Sequence, residues 1–355
     1  MQYTIKGVNM SKKSLRTMPS RLVVNKAGSF LGKTARQIVV RHERKKIMEY
    51  PSLYLKDIII SGRGIAMSSD VIEYCASNNI PIFFISPTGK GSALFTVPCS
   101  CAGDIGLMQL QALQNQRGTV EIARQFIFGK ISNQINLIAS LSKKLSANSS
   151  NIKQMKTILS EIKTKKKIIQ QSSLFSIEAR ASKIYWHVIK ERYETSYKFP
   201  GRIKQHASDL VNSMLNYGYA ILESRVRLAI MLAGLNAEIS FLHSLQRGRA
   251  SLVYDLMEEF RSPVVDQTVF TILDSKNHLE LTEEGLLSDS TKRILIQAIL
   301  EQLDETTKFA TKQRKIEDII EYQAKSIAKH LDGTQQYQPF IYYHRKKIFS
   351  IFERQ

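Results

Sequence analysis

The hydrophobic pattern of this chain changes once. Up to about residue 100, apolar residues come in short β-branched runs separated by glycine, proline or charge, which predicts strands over Arg21–Lys26 (RLVVNK), Gln37–His42 (QIVVRH), Lys46–Tyr50 (KIMEY) and Lys56–Ser61 (KDIIIS). Ser68–Asn78 (SSDVIEYCASN) opens with capping residues and has helical periodicity. Ile80–Ser86 (IPIFFIS) then predicts a buried strand, PTGKG a turn and Ser92–Pro98 (SALFTVP) its partner strand. After Gly103 the period becomes helical, and only Pro200, Pro263 and Pro339 of the eight prolines fall there. Helices are expected within Leu107–Leu141 and around Leu174–Glu191, Ala207–Leu235, Ser251–Asp274, Asp289–Leu303 and Arg314–Leu331. Ser146–Lys167, ending in KTKKK, reads as an exposed loop or as a basic helix surface. The fold class is α+β: a small N-terminal β-sandwich-like domain with one helix, followed by a larger all-α domain. The expected boundaries are a basic extension over 1–20, a β domain over 21–102, a helical domain over 103–335 and a basic, aromatic tail over 336–355.

Composition narrows the partners. Of 355 residues, 43% are hydrophobic, enough for real cores. Lys and Arg number 51 against 31 Asp and Glu, a net charge of +20, which calls for a polyanion, nucleic acid before a membrane surface. The basic residues are spread along the chain rather than gathered on one amphipathic helix, and no apolar run reaches the ~18 residues of a membrane span. Cys75, Cys99 and Cys101 lack the number and spacing of a structural zinc site or a secreted disulfide framework, and the basic N-terminus lacks the apolar core of a signal peptide. A cytoplasmic protein with free thiols is expected.

The candidate chemistry centres on Phe241–Asp266 (FLHSLQRGRASLVYDLMEEFRSPVVD). His243 precedes a helix on which Asp255 and Glu258 stand one turn apart, and Glu178 lies upstream in SIEARASKIYW. Two carboxylates and an imidazole suit a divalent metal. Each residue also has a plainer reading. Asp255, Glu258 and Glu259 fit weak surface pairs with Arg261, His243 beside Phe241 and Leu242 fits a core histidine, and Glu178 fits a pair with Arg180 or Lys183.

Several segments in order resemble the CRISPR-associated integrase family, the larger of the two proteins that insert spacers into a CRISPR array, together with its transposase relatives of casposon mobile elements. RLVVNKAGSFLGK and DIIISGRGIAMSSDVIEYCASNNIPIFFISPTGKG resemble its β domain, and SIEARASKIYW the segment of its first metal-binding glutamate. SDLVNSMLNYGYAIL, with Asn212 and Tyr219, resembles its central helix, and LAGLNAEISFLHSLQRGRASLVYDLMEEFRSPVVD its histidine and acid segment. The resemblance runs from about Arg21 to about Leu331. It implies Glu178, His243 and Glu258 as catalytic metal-binding residues, with Asp255 a further ligand or a supporting group. Tyr185 and Asn212 match positions near the site. Arg247 and Arg249, between His243 and Asp255, are candidates for contact with the scissile phosphate.

The implied function is Mg²⁺- or Mn²⁺-dependent transesterification, in which the 3′-OH of an incoming double-stranded DNA end attacks a target DNA strand. It further implies a homodimer or higher oligomer built through the β domain, and a small second CRISPR adaptation protein as partner. A casposon transposase using the same site is the alternative. A non-catalytic DNA-binding scaffold is the reading from another class.

Overall fold

The computed structural model describes residues 21–87, 92–96, 103–141, 148–164, 171–204, 207–243, 248–275 and 278–344. Two four-stranded sheets form the N-terminal part. One runs β1 (Arg21–Val24), β5 (Asp57–Ser61), β7 (Ile82–Ile85), β8 (Ser92–Phe95), parallel except for the last pair. The other runs β4 (Lys45–Pro51), β3 (Gln37–His42), β2 (Ser29–Lys33), β6 (Ala66–Met67). The expected strands and the helix α1 (Ser69–Ser77) are present; the short β2 and β6 join them. Strand alternation explains how the sheets attach to the rest. Leu22, Leu31, Ile38, Ile58, Ile60 and Ile82 pack with Val71 and Cys75 of α1, whereas Ile59, Phe83 and Ile85 point the other way into the helical core. Burial pushes the Cys75 thiol up to about 11, so it is an inert core group. Cys99 and Cys101 lie outside the described residues.

The C-terminal part comprises α2 (Gly103–Gln114), α3 (Gln116–Leu141), α4 (Asn148–Thr164), α5 (Gln171–Tyr197), α6 (Leu210–Leu232), α7 (Ser251–Phe260), α8 (Gln267–Asp274), α9 (Asp289–Asp304) and α10 (Ile316–Leu331). It is not purely helical. A hairpin of β9 (Thr306–Phe309) and β10 (Lys312–Lys315) joins α9 to α10. The stretch expected as a loop or basic helix is α4, which buries Met155, Ile158 and Ile162. Among the described residues, no helix is long and apolar enough to cross a membrane.

Two local features shape the site. Pro263 cannot donate to the Glu259 carbonyl one helical turn back, so a wider π-helical turn spans Arg261–Asp266, and Asn133 Nδ2 on α3 satisfies that carbonyl at 2.7 Å. The second feature corrects the expected tail. Tyr337, Phe340 and Tyr342 are buried, so this segment is a strap across α3, α7 and α10 rather than a free extension. Glu259 accepts from Tyr337 Oη, Gln323 Nε2 and the Phe340 amide, and Asn133 bonds the Phe340 carbonyl and the Tyr342 amide. Gly129 is required beneath the strap, because a Cβ there would stand 2.9 Å from Pro339 Cβ. Residues 1–20 and 345–355 lie outside the described residues.

Candidate metal centre and nucleic-acid interface

Three acids expected on one helix face are in fact buried and divided between two sides of α7. Glu259 faces the strap. Glu258, 6% exposed, faces a cleft of about 520 Å³ whose lining includes Lys130, His243, Arg202, Lys204, Arg249 and Arg261. The plainer reading of exposed surface pairs therefore fails for all three, although Arg261 Nε does bond Glu258 Oε1 at 3.1 Å.

Glu178 on α5 and Glu258 on α7 are joined through a residue absent from the candidate set. Lys130 Nζ of α3 lies 2.5 Å from Glu178 Oε1 and 2.8 Å from Glu258 Oε2. Ser182 Oγ, one turn along α5, donates to Glu178 Oε1 at 2.8 Å, while the expected alternative partner Arg180 instead pairs with Glu161. Burial would raise the Glu258 carboxyl, but Arg261 and Lys130 outweigh it and hold it down to about 2. Glu178 is likewise raised by burial and lowered more strongly by Lys130, and stays below the usual carboxylate range. Lys130 is pushed down by burial but up by the two carboxylates, with a net rise. The centre is thus an ionised cluster held at low exposure. Lys130 left one trace in the sequence: it is the sole charge in FIFGKISNQINLI, residues 126–138.

Asp255 is fully buried and organises the loop that carries His243. Its Oδ2 accepts from the amides of Phe241 and Leu242 at 2.8 and 2.9 Å, and its Oδ1 from the amide of His243 at 3.2 Å. Oδ1 also lies 2.6 Å from His243 Nδ1. This partner places the ring proton on Nδ1 and leaves the Nε2 lone pair for a ligand. Phe175, one turn before Glu178, meets the His243 ring edge-on at 6.2 Å, so α5 braces the imidazole as well. Asp255 has its oxygens taken up by these three amides and the His243 ring, and so supports that side chain.

Tyr185 and Asn212 are buried and offer no surface to DNA. Tyr185 and Tyr219 both donate to Asp266 in the π-helical turn. Asn212 Oδ1 accepts from Arg202 Nη1 and the Ile203 amide, which holds the basic loop ahead of α6 at the cleft. Arg249 lies at the rim with its guanidinium 5.0 Å above the Tyr254 ring. Arg247 lies outside the described residues. Arg202, Lys204, Arg261 and Asp266 reach the cleft from elements the sequence reading treated as framework; Arg261 alone had been noted, as an ion-pair partner.

Burial raises the Asp266 carboxyl from 3.8 to about 6, against the two tyrosine hydrogen bonds. The folded state therefore holds this proton more tightly than the unfolded chain. The contribution to stability is greatest below pH ~4 and is lost as pH rises through about 6, by an amount on the order of 3 kcal/mol. Asp266→Asn should flatten that slope. Urea denaturation of both proteins at several pH values checks this, and parallel profiles would refute it.

Among the described residues no three His, Cys, Asp or Glu side chains converge closely enough to hold one ion as they stand. The donor set nevertheless fits a cation. Glu258 Oε2 is buried with an ion-pair neighbour but no aligned hydrogen bond, His243 Nε2 is unassigned, and a positive charge already lies between the two glutamates.

Fold and site together define a class: two packed sheets joined to a helical domain, whose basic cleft is lined by Glu258 and a supported histidine, with Glu178 linked to Glu258 through Lys130. The model of the family CRISPR associated protein Cas1 matches residues 22–301, and the chain belongs to that family. It is 31% identical to a CRISPR-associated endonuclease Cas1 of Archaeoglobus fulgidus over 346 residues, covering 90% of this chain and 99% of that protein. A casposase bound to integration product has the same fold, with a TM-score of 0.81 at 22% identity, covering 93% of this chain and 96% of the other. So does a Cas6-RT-Cas1–Cas2 complex, with a TM-score of 0.72 at 19% identity, covering 91% of this chain and 36% of the other.

Proposed function

We propose that the chain is a metal-dependent DNA integrase and endonuclease that joins DNA 3′-OH ends to a target strand in CRISPR spacer insertion. The observation that carries this reading is the joining of Glu178 on α5 to Glu258 on α7 through Lys130, beside a basic cleft that Lys130, Glu258 and His243 line. Glu178, Glu258 and His243 Nε2 would hold Mg²⁺ or Mn²⁺. When bound, such an ion favours deprotonation of the attacking 3′-hydroxyl and offsets charge on the non-bridging phosphate oxygens. The chain's own groups do the rest. Asp255 holds the proton on His243 Nδ1 and keeps Nε2 turned outward. Arg202, Lys204 and Arg261 supply phosphate contacts that position a duplex without reading its sequence. One phosphodiester forms as another breaks, and the target strand is released with a new 3′-hydroxyl.

Two insertions need two such sites, and the β domain carries a surface suited to a second copy. Ile47, Met48, Leu53 and Tyr54 are exposed apolar residues on and beside β4. The Cas1–Cas2 complex among the structural neighbours supports a small second protein as partner. The likeness to a casposase keeps a second reading, integration of a mobile element's own ends through the same site.

The test incubates the protein with short duplexes and supercoiled plasmid in Mg²⁺ or Mn²⁺. Joined product is expected with wild type and absent with Glu178→Gln and His243→Ala, from protein that sediments as a dimer or larger. Undiminished joining by those variants, or wild-type joining in EDTA, would overturn the assignment. Dependence on a small partner protein and a repeat-bearing target marks spacer insertion; unaided joining of one particular terminal sequence marks the casposase reading.

A further inference from the structure

The cation between the glutamates is an amino-acid side chain, the ammonium of Lys130. Lys130 reaches the cleft from the middle of α3, where its neighbours Phe126, Ile127 and Ile131 are buried in the helical core. Its side chain is 14% exposed, and its ammonium contacts one oxygen of Glu178 and one of Glu258. Without it, two carboxylates would face each other at low exposure, 24% and 8% for the side chains, with Arg261 left to offset only Glu258. Burying uncompensated charge is costly, so a cation at this position stabilises the metal-free fold.

A divalent ion held by Glu178, Glu258 and His243 would need the oxygens that Lys130 now contacts. Two cations at hydrogen-bond distance from the same oxygens would stand a few ångströms apart and repel each other strongly in a site of this exposure. We infer that Lys130 is a resident counter-cation of the metal centre, which divalent metal displaces from between Glu178 and Glu258 and which sets the affinity of the site from within the fold. The cleft beside the displaced ammonium is lined by Arg202, Lys204, Arg249 and Arg261 and also by Glu223 and Asp266. Lys130 thus acts on metal binding by competing for the ligand oxygens of Glu178 and Glu258. This rests on the metal reading proposed above.

The test is Mn²⁺ titration of the full-length protein by electron paramagnetic resonance, with wild type, Lys130→Gln, Lys130→Arg and Glu258→Gln. Lys130→Gln removes the competitor and should bind Mn²⁺ at least ~10-fold more tightly than wild type. Lys130→Arg keeps the competing charge and should not gain. Melting should show a larger Mn²⁺-induced rise for Lys130→Gln than for wild type. Unchanged or weaker Mn²⁺ affinity in Lys130→Gln, with wild-type binding still dependent on Glu258, overturns this inference alone. No binding that depends on Glu258 in any of the proteins overturns the metal reading itself. Should Lys130→Gln not fold without metal, wild type labelled with ¹³C-lysine decides. The Lys130 side-chain resonance, assigned by its loss in Lys130→Arg, is expected to shift on adding Mg²⁺; a resonance that stays put while metal binds at Glu258 refutes displacement.

Discussion

Asp255→Ala is expected to abolish strand joining and to destabilise the fold by on the order of 4 kcal/mol. The side chain is fully buried and accepts from three consecutive backbone amides as well as from His243 Nδ1. Alanine would strand all these donors in a place water enters poorly, and it would free the imidazole to turn and change tautomer. Asp255→Asn separates the two effects. Its amide keeps one acceptor oxygen for the loop but cannot take the Nδ1 proton and all three amides together, so part of the stability returns while joining stays at least ~100-fold down. The same variants distinguish a supporting group from a metal ligand. Glu258→Gln removes an oxygen facing the cation and should lose Mn²⁺ binding outright, whereas Asp255→Asn should weaken it through His243 alone, by roughly 10–100-fold. Equal, complete loss of Mn²⁺ in both would return Asp255 to the ligand set.

The second large effect is expected far from the cleft mouth. Phe340→Ala should cost about 3–5 kcal/mol, roughly 4–7 °C in melting temperature for a chain of this length. Phe340 is fully buried, stacks on Phe260 at 5.2 Å, and has its backbone tied to Glu259 and Asn133. The strap binds α3 to α7 on the face opposite the cleft: Gly129 and Asn133 flank Lys130, and Glu259 follows Glu258. Loosening it should therefore also lower joining at temperatures where the variant remains folded. Calorimetry and the joining assay, run well below the variant's melting temperature, measure the two effects separately. A loss within about 1 kcal/mol of wild type would show that the segment lies on the domain without supporting it.

Much of this fold could be read from local pattern. β-branched runs between glycines and charges gave β1, β3, β5 and β7 because strand propensity and alternation act over a few residues. What escaped was polar or short. β10, KQRK, has no apolar alternation, and β2, SFLGK, is interrupted by glycine. The segment around Tyr337–Tyr342 looked like a tail because aromatic residues flanked by basic ones have no period; only contact with α3 and α7 buries them.

The candidate site divides in the same way. Glu178, His243, Asp255 and Glu258 were legible as residue types in an ordered set of segments resembling a known family, and the family is the one to which the chain belongs. Which acid faces what was not legible. Glu258 and Glu259 are adjacent in sequence, yet one meets Lys130 and Arg261 while the other is held by Tyr337, Gln323 and the Phe340 amide. Burial pushes both carboxyls up, but Arg261 and Lys130 hold the first down to about 2 while the second rises to about 7, the difference lying in whether charged partners outweigh desolvation. Chain composition and local periodicity by themselves determined the β-then-helical order and the basic character, since each depends on residues near in sequence, while the set of candidate site residues came from the resemblance of whole segments to a family. The tertiary structure alone decided that Lys130, 48 residues from Glu178, lies between it and Glu258, that Asp255 supports His243, and that the C-terminal segment is part of the core. Those outcomes depend on the packing of α3, α5 and α7 against one another, and charge pairing across a helix interface carries no signature in the spacing of residues along any one of them.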